Sequence, residues 1–136
     1  MTIDLHYRTT VLKEEVTADV DLVAMMRVQN SKAAEEHYCW SLMTDEASLV
    51  VGVAGNLGVL AWYGPGAVDD MEVSAQGSNA EPIDYRLGGL YPQPFPAHCE
   101  ISVEDVYAAV REFLVTSQKP RCVTWQPEEA AWVASG

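Results

Sequence analysis

Residues 38–63, YCWSLMTDEASLVVGVAGNLGVLAWY, decide the fold. Successive side chains of a β-strand point to opposite faces. Tyr38, Trp40 and Leu42 alternate with smaller residues in that way. Thr44 to Ala47 supplies a turn, Leu49 to Val53 is a β-branched run, and Gly55-Asn56-Leu57-Gly58 forms a second turn before Val59 to Tyr63. Short apolar runs punctuated by turn residues predict neighbouring antiparallel strands. The same region also raises the question of a membrane, because residues 47–68 carry no charged side chain and are long enough to span one. Gly52, Gly55, Gly58 and the Gly64-Pro65-Gly66 break argue against a spanning helix. Its flanks are Asp45, Glu46, Asp69 and Asp70, so no cation anchors either end. Two buried strands joined by a turn account for the stretch, and no membrane association is expected.

Working outward, Met71 to Val73 and Ile83 to Leu87 continue the string of strands, separated by Gly77-Ser78-Asn79. Gly88 to His98 contains Pro92, Pro94 and Pro96, too much proline for a central strand, and reads as a loop. Ser102 opens the clearest helix, with Ser102 and Asp105 as a variant capping box. Its apolar stripe is Val103, Val106, Tyr107, Val110, Phe113 and Leu114. Lys119-Pro120 stops it, Arg121 to Trp125 reads as a last strand, and residues 128–136 as a tail of one helical turn. Towards the N-terminus, Ile3, Leu5 and Tyr7 alternate as a strand. Thr17 caps a helix that runs to about Asn30, and Lys32 to Glu36 is a polar connection. The expectation is one domain over residues 1–136, of α+β class: an antiparallel β-sheet meander with two main helices packed on one face.

The chain holds 20 acidic and 8 basic residues, a formal charge of −12, with 49% hydrophobic and 21% charged residues. That composition is globular. Such a charge repels nucleic-acid backbones and anionic membranes and attracts cationic partners. Three cysteines, Cys39, Cys99 and Cys122, form no close pair, and Asp4, His6 and Arg8 stand where an export signal needs an apolar run. Free thiols fit the reducing cytoplasm.

Chemistry is sparse. The run His98-Cys99-Glu100 places three metal-ligand types side by side, but neighbours on an extended chain diverge, so no metal is expected. His37 and Cys39 have dyad spacing, yet Glu35 and Glu36 would raise the thiol pKa. Gly52, Gly55 and Gly58 match no nucleotide-binding spacing and belong to a hairpin. No enzymatic activity and no cofactor are expected.

The C-terminal third carries a recognisable pattern: Phe95-Pro96, Glu100-Ile101-Ser102, the helix with Val110-Arg111-Glu112-Phe113-Leu114, then Lys119-Pro120 and Val123-Thr124-Trp125. Together with Leu49 to Val53, Gly55 to Leu60 and Tyr85, it resembles the first-numbered immunity-protein family of bacterial polymorphic toxin systems, over residues 38–127. The resemblance implies an α+β protein of the cytoplasm that binds and neutralises a cognate toxin, including nucleic-acid deaminases or nucleases, in a family frequent in actinobacteria. It carries over no binding residues.

Charge offers a candidate surface. Asp69, Asp70, Glu72, Glu81 and Asp84 flank two middle strands, and no basic residue lies between positions 64 and 85. A toxin acting on nucleic acid must neutralise phosphates, so its active face is expected to be basic. These five acids are the expected toxin-facing patch, with Trp62 as an anchor. Two other readings compete: a secretion chaperone or adaptor for a toxin, and a small hydrolase-like enzyme built from scattered acids and His98.

Overall fold

The structure is a computed structural model and describes residues 3–135. In chain order it comprises β1 (Thr10–Leu12), α1 (Leu22–Ala33), β2 (Tyr38–Met43), β3 (Ser48–Ala54), β4 (Leu57–Tyr63) and β5 (Met71–Ser74). There follow β6 (Ile83–Leu87), β7 (Tyr91–Phe95), β8 (Ile101–Ser102), α2 (Val103–Thr116), β9 (Trp125–Pro127) and α3 (Glu128–Ser135). The strands share one sheet of order β7-β6-β2-β3-β4-β5-β9, with β1 also pairing β2 and β8 also pairing β4.

The centre of the sheet is the stretch 38–63, folded as two successive antiparallel hairpins. Ala54 pairs with Leu57, so the second turn is tighter than its glycines suggest, with Gly55 at φ +67°. Asn30 holds that turn from α1: its Oδ1 accepts from Gly55 N at 2.8 Å and its Nδ2 donates to Gly55 O at 2.9 Å. The meander continues into β5 and then ends. The chain crosses back so that β6 pairs with β2, and does so in parallel, as β1 does. The sheet is thus mostly antiparallel but more than a meander.

Alternation along the strands divides the core in two. Tyr38, Trp40, Leu49, Val51, Leu60 and Trp62 face α1 and α2. Cys39, Val50, Val59, Ala61, Val73 and Tyr85 face the other way, under Phe95, Cys99 and Ala131. α1 and α2 share one face, but the fold has three helices rather than two: residues 128–135, read as a tail of one turn, form a longer helix on the opposite face, with Ala131 only 4% exposed.

Other boundaries also move. Ile3 to Tyr7 is not a strand; Leu5 is buried and its carbonyl accepts from Trp40 Nε1 at 3.0 Å, while Thr10–Leu12 pairs with β2. Asp21, not Thr17, caps α1, accepting from Ala24 N at 3.0 Å. Thr17 bonds the Asp19 carboxylate instead. The proline-rich segment contributes β7, at the sheet edge. Pro92 and Pro94 stand opposite Arg86 and Asp84, two residues apart, so both missing N–H groups fall on the same side of the strand. Only an edge strand leaves that side unpaired. The last strand is Trp125–Pro127, and Arg121 to Val123 is bent.

Candidate functional site

The six residues singled out from sequence separate into three groups. Asp69 and Asp70 are exposed in the connection from β4 to β5, both in the left-handed region at φ +52° and +58°. Aspartate tolerates that conformation better than most residues. Exposed Val68 and Met71 flank them at 54% and 41%.

Trp62 and Glu72 belong to the interior. Trp62 is 1% exposed, packs edge-on against Phe113 with ring centroids 5.7 Å apart, and donates from Nε1 to Pro65 O at 2.9 Å. Glu72, its cross-strand partner, is 7% exposed and ion-pairs with Lys119. The Lys119 ammonium also donates to Gly66 O at 3.0 Å and lies 5.7 Å from the Trp125 ring centroid. This cluster ties β5 to the chain that follows α2. Even-spaced strand residues share a face, so Trp62 points to α2, and the partnership with Lys119, 47 residues downstream, has no local sequence signal.

Glu81 and Asp84 form the third group. Both are exposed, Glu81 before β6 and Asp84 on it, opposite Pro94. Between β5 and β6 in the sheet lie β4, β3 and β2. The acids adjacent in sequence therefore sit on different flanks of the central hairpins.

The three cysteines are held as thiols. Burial pushes the Cys39 and Cys99 thiols from 9.0 up to about 12, so both are protonated at neutral pH. The Cys122 thiol is also raised, by burial first and by Glu112. His37 sits in the left-handed region at φ +52°, so it does not continue the strand that carries Cys39. Its ring packs edge-on against Tyr85 at 5.1 Å. Within His98-Cys99-Glu100 the side chains part: His98 is exposed, Cys99 Sγ donates to Pro96 O at 3.0 Å, and Glu100 Oε2 accepts from Tyr85 OH at 2.7 Å. Among the described residues, no three metal-ligand side chains gather around one point. A surface depression of about 430 Å³ is bordered by Glu100, Asp105 and Cys122, but no histidine or lysine lines it to activate the thiol. No helix among the described residues is long and apolar enough to cross a membrane.

The family described as Immunity protein Imm1 matches residues 8–127, nearly the whole chain. The chain belongs to the Imm1 family. No curated protein sequence matches it. The Imm1 match includes β1 and α1, so the kinship extends beyond the region from residue 38 in which the sequence pattern was legible.

Proposed function

We propose that this Imm1 protein is a cytoplasmic, non-enzymatic inhibitor that binds and neutralises a cationic toxin domain acting on nucleic acid, a deaminase or a nuclease. The observation that carries the reading is the family match, joined to a charge of −12. A domain that must grip phosphates presents Arg and Lys, and an acidic inhibitor meets them with charge-assisted bonds and fast, steered encounter. Asp69 and Asp70 are the exposed acids we assign to direct contact, since no cation between positions 64 and 85 competes for them. Glu81 and Asp84, on the far flank, add to the long-range field. Trp62 and Glu72 act from inside by holding β5 in place.

The family resemblance implies a toxin gene next to this one, and the test is calorimetric titration with the toxin domain of that neighbour, at low and high salt. Expected are a tight complex that weakens as salt rises and a further loss in the Asp69→Lys/Asp70→Lys variant. Wild-type affinity in that variant would move the contact to another face. A wild-type protein that binds only an unfolded or N-terminal segment of the toxin-bearing chain would make it a secretion adaptor.

A further inference from the structure

Beside Asp69 and Asp70, the sheet presents a row of four apolar side chains about one serine, Ser48, which bonds Ser41, a row that the linear sequence hides. Backbone pairing aligns Leu12 with Met43, Met43 with Ser48, Ser48 with Tyr63, and Tyr63 with Met71. Directly paired residues project to the same face. These five side chains therefore form one line across β1, β2, β3, β4 and β5, at one end of all five strands. Four interstrand steps of about 4.8 Å make the line roughly 19 Å long. Leu12 is 42%, Met43 38% and Met71 41% exposed, and Tyr63 is partly buried. Two residues further into the sheet, Val50, Ala61 and Val73 are already buried beneath the second face's cover. A depression of about 640 Å³ opens at the Leu12–Met43 end of the row.

Acids surround the row. Asp45 and Glu46 occupy the β2–β3 turn, Asp69 and Asp70 precede Met71, and Glu14 follows Leu12, all exposed. Glu128 accepts the Tyr63 hydroxyl at 3.1 Å. Lys13 borders the depression at the Leu12–Met43 end and bonds Ser117 Oγ beyond the end of α2, and Lys119 and Arg121 line another depression with Glu46, so the acids around the row outnumber the cations without excluding them. An apolar strip with a charged rim has the anatomy of a protein interface. The rim decides the occupant: a second copy would bring the same acids and another −12 against it, whereas a cationic domain brings the opposite sign.

We propose that the row Leu12–Met43–Tyr63–Met71 is the apolar centre of the contact with the toxin, whose cationic face lays apolar side chains along it and basic ones into the rim. Unbranched methionines suit such a contact because they adapt their shape to the partner. The proposal rests on the immunity reading above, and the test separates the two. Affinity for the neighbouring toxin domain is measured for wild type, Met43→Ser/Met71→Ser, and Val115→Ser. Val115 is 83% exposed on α2, and none of these changes alters charge. The double variant is expected to lose at least about tenfold in Kd, with its thermal midpoint kept, while Val115→Ser stays within about twofold. A wild-type complex unaffected by the double change overturns the row and leaves the immunity reading standing. A wild type with no affinity for the toxin domain overturns both. Light scattering that shows a dimer dispersed by the same double change would give the row to a second copy and overturn the cationic partner.

Discussion

Reversing the charge at Glu72 and at Asp69 or Asp70 gives opposite outcomes, although the three are neighbours in sequence. The Glu72 side chain is 9% exposed and that of its partner Lys119 22%. Removing one member of a largely buried pair costs about 3–5 kcal/mol, because the other charge stays desolvated and unpaired. Lys119 keeps the Gly66 carbonyl and the Trp125 ring, which favours the lower end for Glu72→Gln. Glu72→Lys adds repulsion: two ammonium groups about 4 Å apart at an effective dielectric near 20 repel by roughly 4 kcal/mol before either moves away. We expect a net loss of about 4 kcal/mol for the reversal. Asp69→Lys and Asp70→Lys touch exposed residues, with loss limited to about 0.5–1 kcal/mol each because lysine is less at ease at positive φ. For a domain of this size 1 kcal/mol moves Tm by roughly 3–5 °C. Thermal unfolding followed by circular dichroism should therefore show Glu72→Lys more than about 10 °C below wild type, and each aspartate variant within about 5 °C. A Glu72→Lys protein that melts with the wild type would refute the buried-pair account and release Glu72 for partner binding.

Three further outcomes follow from the packing. Trp62→Ala should cost about 3–5 kcal/mol in urea denaturation, whereas Trp62→Phe, read by titration with the toxin domain, should keep wild-type affinity, since the ring faces α2. Gly52→Ala would place a Cβ 2.6 Å from Tyr85 Cδ2 and 2.6 Å from Val59 Cγ2 and should lower stability by about 1–3 kcal/mol; an unchanged urea midpoint would mean that the packing between β3 and Tyr85 is looser than described. Burial raises the folded-state pKa of Cys39 and Cys99 from 9.0 to about 12 and raises those of Tyr63 and Tyr85 as well. The unfolded chain therefore releases these protons first, so their contribution is intact below pH 9.0 and is lost as pH climbs towards 12. Urea midpoints should hold up to about pH 9 and drop between about pH 9 and about pH 12, and a flat profile would contradict the burial of these groups.

Where period and punctuation agree, the sequence was readable. Residues 38–63 announced three strands, and each formed within two residues of its expected limits. The α2 stripe put Val103, Val106, Tyr107, Val110 and Phe113 in the core, with Ser102 as the cap. The misreadings share a physical origin, tertiary context overriding a local signal. Ile3, Leu5 and Tyr7 alternate, yet Tyr7 adopts φ +61° and Val11, further on, takes the core position beside Leu42. Proline density marked residues 91–95 as loop, but an edge strand needs hydrogen bonds on one side alone. The β2–β6 parallel pairing and the Glu72–Lys119 pair depend on contacts distant in sequence, which no local pattern encodes. The acidic patch divided for the same reason: nearness in sequence placed Glu72 with Asp69 and Asp70, while strand alternation turned it inward. The row from Leu12 to Met71 has no signature in the linear sequence, because it exists only once five strands are in register.

The most direct test of immunity is survival. The C-terminal toxin domain of the neighbouring secreted protein is expressed in a bacterial host with and without this Imm1 protein, and viable cells are counted. Co-expression should restore growth to that of the uninduced host, and the two proteins should purify together. A toxic domain that kills equally in the presence of the folded protein would contradict the account.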